Sequence, residues 1–189
     1  MRFVLVGTFF STVEEFLTVV VLKHDLASFV FTLLVLFPVF LTFAFLSSRL
    51  FNRLLRREPA RDIAHFVIYG VFGLMIEWFL IGLAPWSDPS ANPILMALFQ
   101  FGMFSFWATV GFAPRLFISG AELARETRAS ILRFYIPYFA LTYVVALTVP
   151  IELRFVAIIG LVIFGYAFLN LFYLKYFAQS FKTGASPGS

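Results

Sequence analysis

Three carboxylates draw attention first, because of where they fall. Glu14, Glu15 and Glu77 each lie midway along an otherwise apolar stretch. At the centre of a bilayer a carboxylate costs roughly 2.5–3.5 kcal/mol on insertion scales. It is tolerated there when it faces the interior of a helix bundle, finds a partner or is neutralised. The chemistry such acids serve is that of a proton relay, a cation site or a counter-ion to a charged ligand. Helical spacing sharpens the expectation. Thr8, Ser11, Glu15 and Thr18 recur at steps of three and four, which puts them on one polar stripe. Glu14 sits about 100° round, on the face of Gly7 and Ser11, and Glu77 shares a face with Gly70 and Gly73. Small residues at that spacing let a neighbouring helix come close. Glu14 and Glu77 are therefore expected at packed helix interfaces, and Glu15 on a polar seam.

Partners for these acids are few. Gln100, Ser105 and Thr109 are available from one apolar stretch, Tyr135, Tyr138, Thr142 and Tyr143 from the next, and Tyr166, Asn170 and Tyr173 from the last. The candidate binding set is Glu14, Glu15, Glu77, Ser11, Gln100 and Asn170. No Lys or Arg falls at mid-span depth. Protons, a bound cation or a partner chain must then neutralise the acids. The alternative is a structural role, with neutral carboxyls bonded to hydroxyls or amides on adjacent helices.

Other chemistry is poorly provided for. There are no cysteines, so disulfides and thiolate ligands are excluded. His24 and His65 have no second His at helical spacing and read as solvated or interfacial. No haem pair or zinc motif occurs, Ser11 and Ser105 have no base near in sequence, and no metal or cofactor is expected. Asp25, Asp88 and Glu152 put one acid in each of three turns, either as a ring that concentrates cations or as ordinary loop residues.

The elements that must carry these residues follow from composition. The 189 residues are 61% hydrophobic and 13% charged, with 28 Phe. A soluble fold of that size could not hide so much apolar surface. A soluble enzyme and a nucleic-acid binder are both excluded. Six apolar segments are expected as helices at about 3–22, 27–48, 64–84, 93–114, 132–149 and 155–177. Each is near the ~20 residues needed to cross a bilayer, and only helices satisfy the backbone within the segment. The fold class is thus an all-α membrane protein of six transmembrane helices in one domain, 1–182, with a disordered tail over 183–189. Pro59 and a capping Asp62 are expected to open the third segment, and Trp86 to anchor at the interface.

Charge orients the bundle. Arg2, Arg49, Arg53, Arg56, Arg57, Arg61, Arg115, Arg125, Arg128, Arg133, Lys175 and Lys182 fall on one side, and only Lys23 and Arg154 on the other. The positive-inside rule makes the richer side, with both termini, cytoplasmic in a cell membrane. Anionic headgroups of the lipid bilayer account for the basic loops.

An internal repeat is also legible. At an offset of 63, Phe3, Val4, Gly7, Phe9, Glu14, Phe16 and Leu17 match Phe66, Val67, Gly70, Phe72, Glu77, Phe79 and Leu80. The reading is tandem parallel helical hairpins: two clear copies, and a weaker third that keeps Ala167-Phe168-Leu169 against Ala44-Phe45-Leu46. Parallel repeats often hold a site between copies near mid-bilayer.

Glu14-Glu15-Phe16-Leu17 resembles the E-E-F-L stretch of the small membrane-embedded lycopene cyclases. The likeness covers four residues, and Thr12-Val13 stands where that family carries a Pro. The resemblance implies acid-driven cyclisation of an isoprenoid within the bilayer. Three functions are thus carried forward. The first is binding or translocating a proton, cation or small cationic solute. The second is a non-catalytic subunit bonding a membrane-protein partner or a second copy. The third is an intramembrane lipid or isoprenoid enzyme with a Glu as proton donor.

Overall fold

The computed structural model describes residues 2–55, 57–88, 90 and 92–184. Among these there is no strand, and six helices are long and apolar enough to cross a membrane. They are α1 (Arg2–Val21), α2 (Leu26–Leu54), α3 (Glu58–Ile81), α4 (Pro93–Ile118), α5 (Glu122–Thr148) and α6 (Ile151–Gly184). One end of the bundle carries the turns around Lys23 and Pro85, and the other the arginine-rich turns near Arg57 and Ser119. These are called the Lys23 end and the arginine end below.

Most helices run past their expected limits. α3 begins at Glu58 and α5 at Glu122, because Glu, Arg and Ala continue a helix after apolar character stops. Hydropathy reports only the part that meets hydrocarbon. α6 runs to Gly184, so residues 183 and 184 are helical where a tail was expected, and 185–189 lie outside the described residues. α4 starts on a well-made cap: the Asn92 side chain accepts from the N–H groups of Ile94 and Leu95 at 2.9 and 3.2 Å, with Pro93 next. Asp25 caps α2 by accepting from the Ser28 N–H at 2.9 Å and its hydroxyl at 2.6 Å. Asp62 does not cap α3. It lies inside the helix, buried and paired.

α4 is the central helix. It buries a continuous run from Ser105 to Pro114 and packs against α1, α3 and α6. Glycines set these approaches. A Cβ on Gly73 would lie 1.9 Å from Trp107 Cγ, so only glycine lets that side chain come this close to α3. Where α1 meets α4, Pro114 has no N–H to offer the Val110 carbonyl. Gly7 rests against that carbonyl; a Cβ there would be 3.2 Å from it. Aromatic rings fill the rest of the interior. Phe40 lies 4.6 Å from Trp107, and Phe43 stacks on Phe72 at 3.7 Å between ring centroids.

The α-helical ladder is interrupted by π-helical turns at Phe16–Val21 in α1, Thr32–Leu36 in α2 and Glu77–Ile81 in α3. A π turn takes an extra residue and widens the helix, and such turns gather at functional sites. All three lie in the halves of these helices nearer Lys23. α3 then stops on Gly82, whose φ of 84° is the left-handed conformation that glycine adopts freely.

Candidate functional site

A cavity of about 470 Å³ opens among α1, α2, α3, α4 and α6. Glu14, Glu15 and Glu77 all line it. The three are 5%, 8% and 3% exposed, so their carboxylates are withdrawn from the surface yet face an open space. They are also close enough for each to act on the others electrostatically. Two π turns lie beside the convergence. Glu14 and Glu15 immediately precede one and Glu77 begins another, so both helices widen where they carry acid.

Each acid has a different setting. Trp107 Nε1 donates to Glu77 Oε1 at 2.9 Å, a bond made possible by the close approach at Gly73. Glu14 shares its turn with Thr18, whose hydroxyl donates to the Glu14 carbonyl at 3.1 Å. Glu15 makes no hydrogen bond or ion pair with any described residue. Thr18 and Thr32 complete the polar wall. At the mouth stand Lys23, Asp25 and Ser28. Lys23 is exposed, and its charge reaches all three glutamates. The Asp25 carboxyl is held below its ordinary value by the hydroxyl and N–H of Ser28, so it stays ionised at the mouth.

The remaining expected site residues are elsewhere. The Ser11 hydroxyl donates to the Thr8 carbonyl at 2.9 Å within its own helix. Gln100 accepts from Trp78 Nε1 at 2.7 Å and donates to the Leu83 carbonyl at 2.9 Å, bracing the turn after α3. Asn170 donates to the Ser105 hydroxyl at 2.7 Å, tying α6 to α4. None of the three lines the cavity. The tyrosines considered as partners bond backbone instead. Tyr135 and Tyr166 both reach the Phe10 carbonyl, at 3.3 and 3.1 Å, and Tyr143 reaches that of Val13 at 3.0 Å. Glu77 sits at the packed α3–α4 interface expected of it and, like Glu14, also lines the cavity, while Lys23 stands at the mouth rather than at mid-span depth.

Sequence reasoning missed Trp107. The signal was present: an indole N–H needs an acceptor when buried, and α4 offered one opposite Gly73. It missed the π turns as well, which no periodicity of this chain reveals.

A second polar cluster closes the arginine end. Arg115 Nη2 lies 3.2 Å from Asp62 Oδ1, and the Tyr176 hydroxyl donates to Asp62 Oδ2 at 2.9 Å. Arg115 Nη1 donates to His65 Nε2 at 3.4 Å. His65 is fully buried, contrary to the interfacial setting expected of it, and is edge-on to Phe51 at 5.3 Å. α3, α4 and α6 are thereby joined by an ionic network in which both Asp62 oxygens are paired, while His65 Nδ1 and Arg115 Nε have no hydrogen-bond partner. Asp25 and Asp88 serve local turns, Asp88 accepting from the Ser90 N–H at 2.9 Å.

No family model, curated protein or solved structure matches this chain. The functional reading therefore rests on the site.

Proposed function

We propose that this is an integral membrane protein that binds or translocates a proton, cation or small cationic solute through the carboxylate cavity. The observation that carries the reading is the convergence of Glu14, Glu15 and Glu77, from two helices, on one cavity of about 470 Å³. An acid kept only to bond a neighbouring helix is enclosed by its partner. Here Glu15 faces open space without one. Desolvated negative charge around a space attracts cations and rejects anions.

In this reading the arginine end and both termini are cytoplasmic, and the cavity opens toward the outer face of a cell membrane. A cysteine at Ser87 then reacts with an impermeant thiol reagent added outside, and one at Ala60 does not. We also read α1–α2 and α3–α4 as repeated hairpins. The matched Glu14 and Glu77 line the same cavity, which supports that symmetry.

The test is uptake of protons or monovalent cations into liposomes containing the purified protein. Glu15→Gln and Glu77→Gln keep shape and hydrogen bonding but carry no charge. Each is expected to abolish uptake while folding normally. Unchanged uptake in both would refute the reading.

A further inference from the structure

The cavity's walls say more about its occupant than its charge alone. Its volume equals roughly fifteen waters at about 30 Å³ each, far more than a bare ion fills. Among the described residues no three His, Cys, Asp or Glu side chains come together closely enough to hold one metal ion. A space of this volume admits a ligand larger than an atomic ion.

Much of the remaining wall is apolar. Phe99 and Met103 of α4 and Ile159 of α6 form the inner side. On the outer side stand Phe31 of α2 and Leu80 and Ile81 of α3. These last three line the cavity and are also on the bundle's surface, at 55%, 70% and 43% exposure. The reason lies in how α2 and α3 pack. Toward the arginine end they are joined by Phe43 stacked on Phe72 and by the Tyr69 hydroxyl on the Ala44 carbonyl. Toward the Lys23 end both become π-helical and the cavity lies between them. Besides the mouth at Lys23, the cavity therefore has a lateral side at Phe31, Leu80 and Ile81, on the flank of the bundle where a membrane protein meets lipid tails.

Resting on the cation reading above, we infer that the ligand is an amphiphilic organic cation that enters sideways from the bilayer between α2 and α3. Its ammonium head sits among Glu14, Glu15 and Glu77, and its apolar body lies against Leu80, Phe99 and Met103. Glu15, 8% exposed and unpartnered, is the carboxylate left for the head. Lys23 at the mouth repels a second cation and disfavours entry straight from water.

The experiment uses the full chain in lipid nanodiscs, with empty nanodiscs subtracted. Radiolabelled decyltrimethylammonium is the probe. Tetramethylammonium has its head without the tail, and decyl sulfate its tail with the opposite charge. The inference expects decyltrimethylammonium to bind at least tenfold more tightly than either. Glu15→Gln and Glu77→Gln, checked for folding by circular dichroism, each weaken it tenfold or more. Leu80→Trp, at a surface position that tolerates bulk, slows its association. Equal binding of tetramethylammonium would overturn the amphiphile and the lateral entry while leaving the cation site standing. Equal binding of decyl sulfate, with both Gln variants unaffected, would overturn the cation site itself.

Discussion

The two ends of the bundle treat buried charge in opposite ways. At the arginine end Asp62 is met by Arg115 and Tyr176, and the helices close over them. At the Lys23 end three glutamates are gathered around an open space, and one has no hydrogen-bond partner. The backbone differs in step. α3 is α-helical around Asp62 and His65 and π-helical from Glu77. The same helix is thus a closed strut at one end and the wall of a site at the other. A carboxylate paired with an opposite charge holds an end together, whereas unpaired like charges are kept only where something else neutralises them.

The largest effect expected from disturbing this contrast is at the closed end. Arg115→Ala leaves Asp62 buried without its cation and is expected to cost about 3–5 kcal/mol of stability, read as a fall in unfolding temperature. A change of similar size at Glu15 would erase the distinction between the ends. Glu15→Gln is instead expected to leave the unfolding temperature unchanged or raise it, since no partner is lost.

Next comes the contact that joins the closed packing to the site. Gly73→Ala places a Cβ 1.9 Å from Trp107 Cγ and is expected to cost about 3 kcal/mol, by the same measurement. The indole must shift, so the Glu77–Trp107 bond is lost as well.

Glu77 itself separates bonding from charge. Glu77→Ala leaves the Trp107 N–H without an acceptor and is expected to cost about 1–3 kcal/mol. Glu77→Gln keeps an oxygen for that N–H, and its unfolding temperature should stay near wild type. If both variants unfold alike, the bond is not what fixes Trp107.

The smallest effect is at the mouth. The folded-state pKa of Asp25 is below its ordinary value, so its contribution is full at neutral pH. It is lost as the pH falls through the folded value, below the usual carboxylate range near about 4. Asp25→Asn should flatten that acid limb of the stability curve, measured as unfolding temperature against pH.

Much of this was legible in the residues. Apolar run length gave six helices, and the depth of Glu14, Glu15 and Glu77 gave the acids that gather. The faces of Gly70 and Gly73 are where α4 packs closest. What was hidden depends on neighbours distant in sequence. His65 reads as interfacial from its position at a span's edge, but Arg115, 50 residues later, gives it a buried partner. Asp62 has the type and place of a cap, and the helix simply starts four residues earlier. The cavity is bordered by π turns, which leave no mark on an apolar sequence. Ser11, Gln100 and Asn170 are polar residues at span depth, but each bonds within its own helix or to another element away from the cavity, and Asn170 Oδ1 has no partner.

The central claim is that the glutamates form an open space that selects cations. The chain has no cysteine, so one introduced at Thr18, on the cavity wall, is a unique probe. The measurement is the rate of its modification by a cationic methanethiosulfonate relative to an anionic one, each normalised to a free thiol in solution. The account predicts that the cationic reagent reacts at least tenfold faster and that this preference disappears when Glu14, Glu15 and Glu77 are all changed to Gln. Equal rates for the two reagents, or a Thr18→Cys thiol that neither reaches, would contradict it.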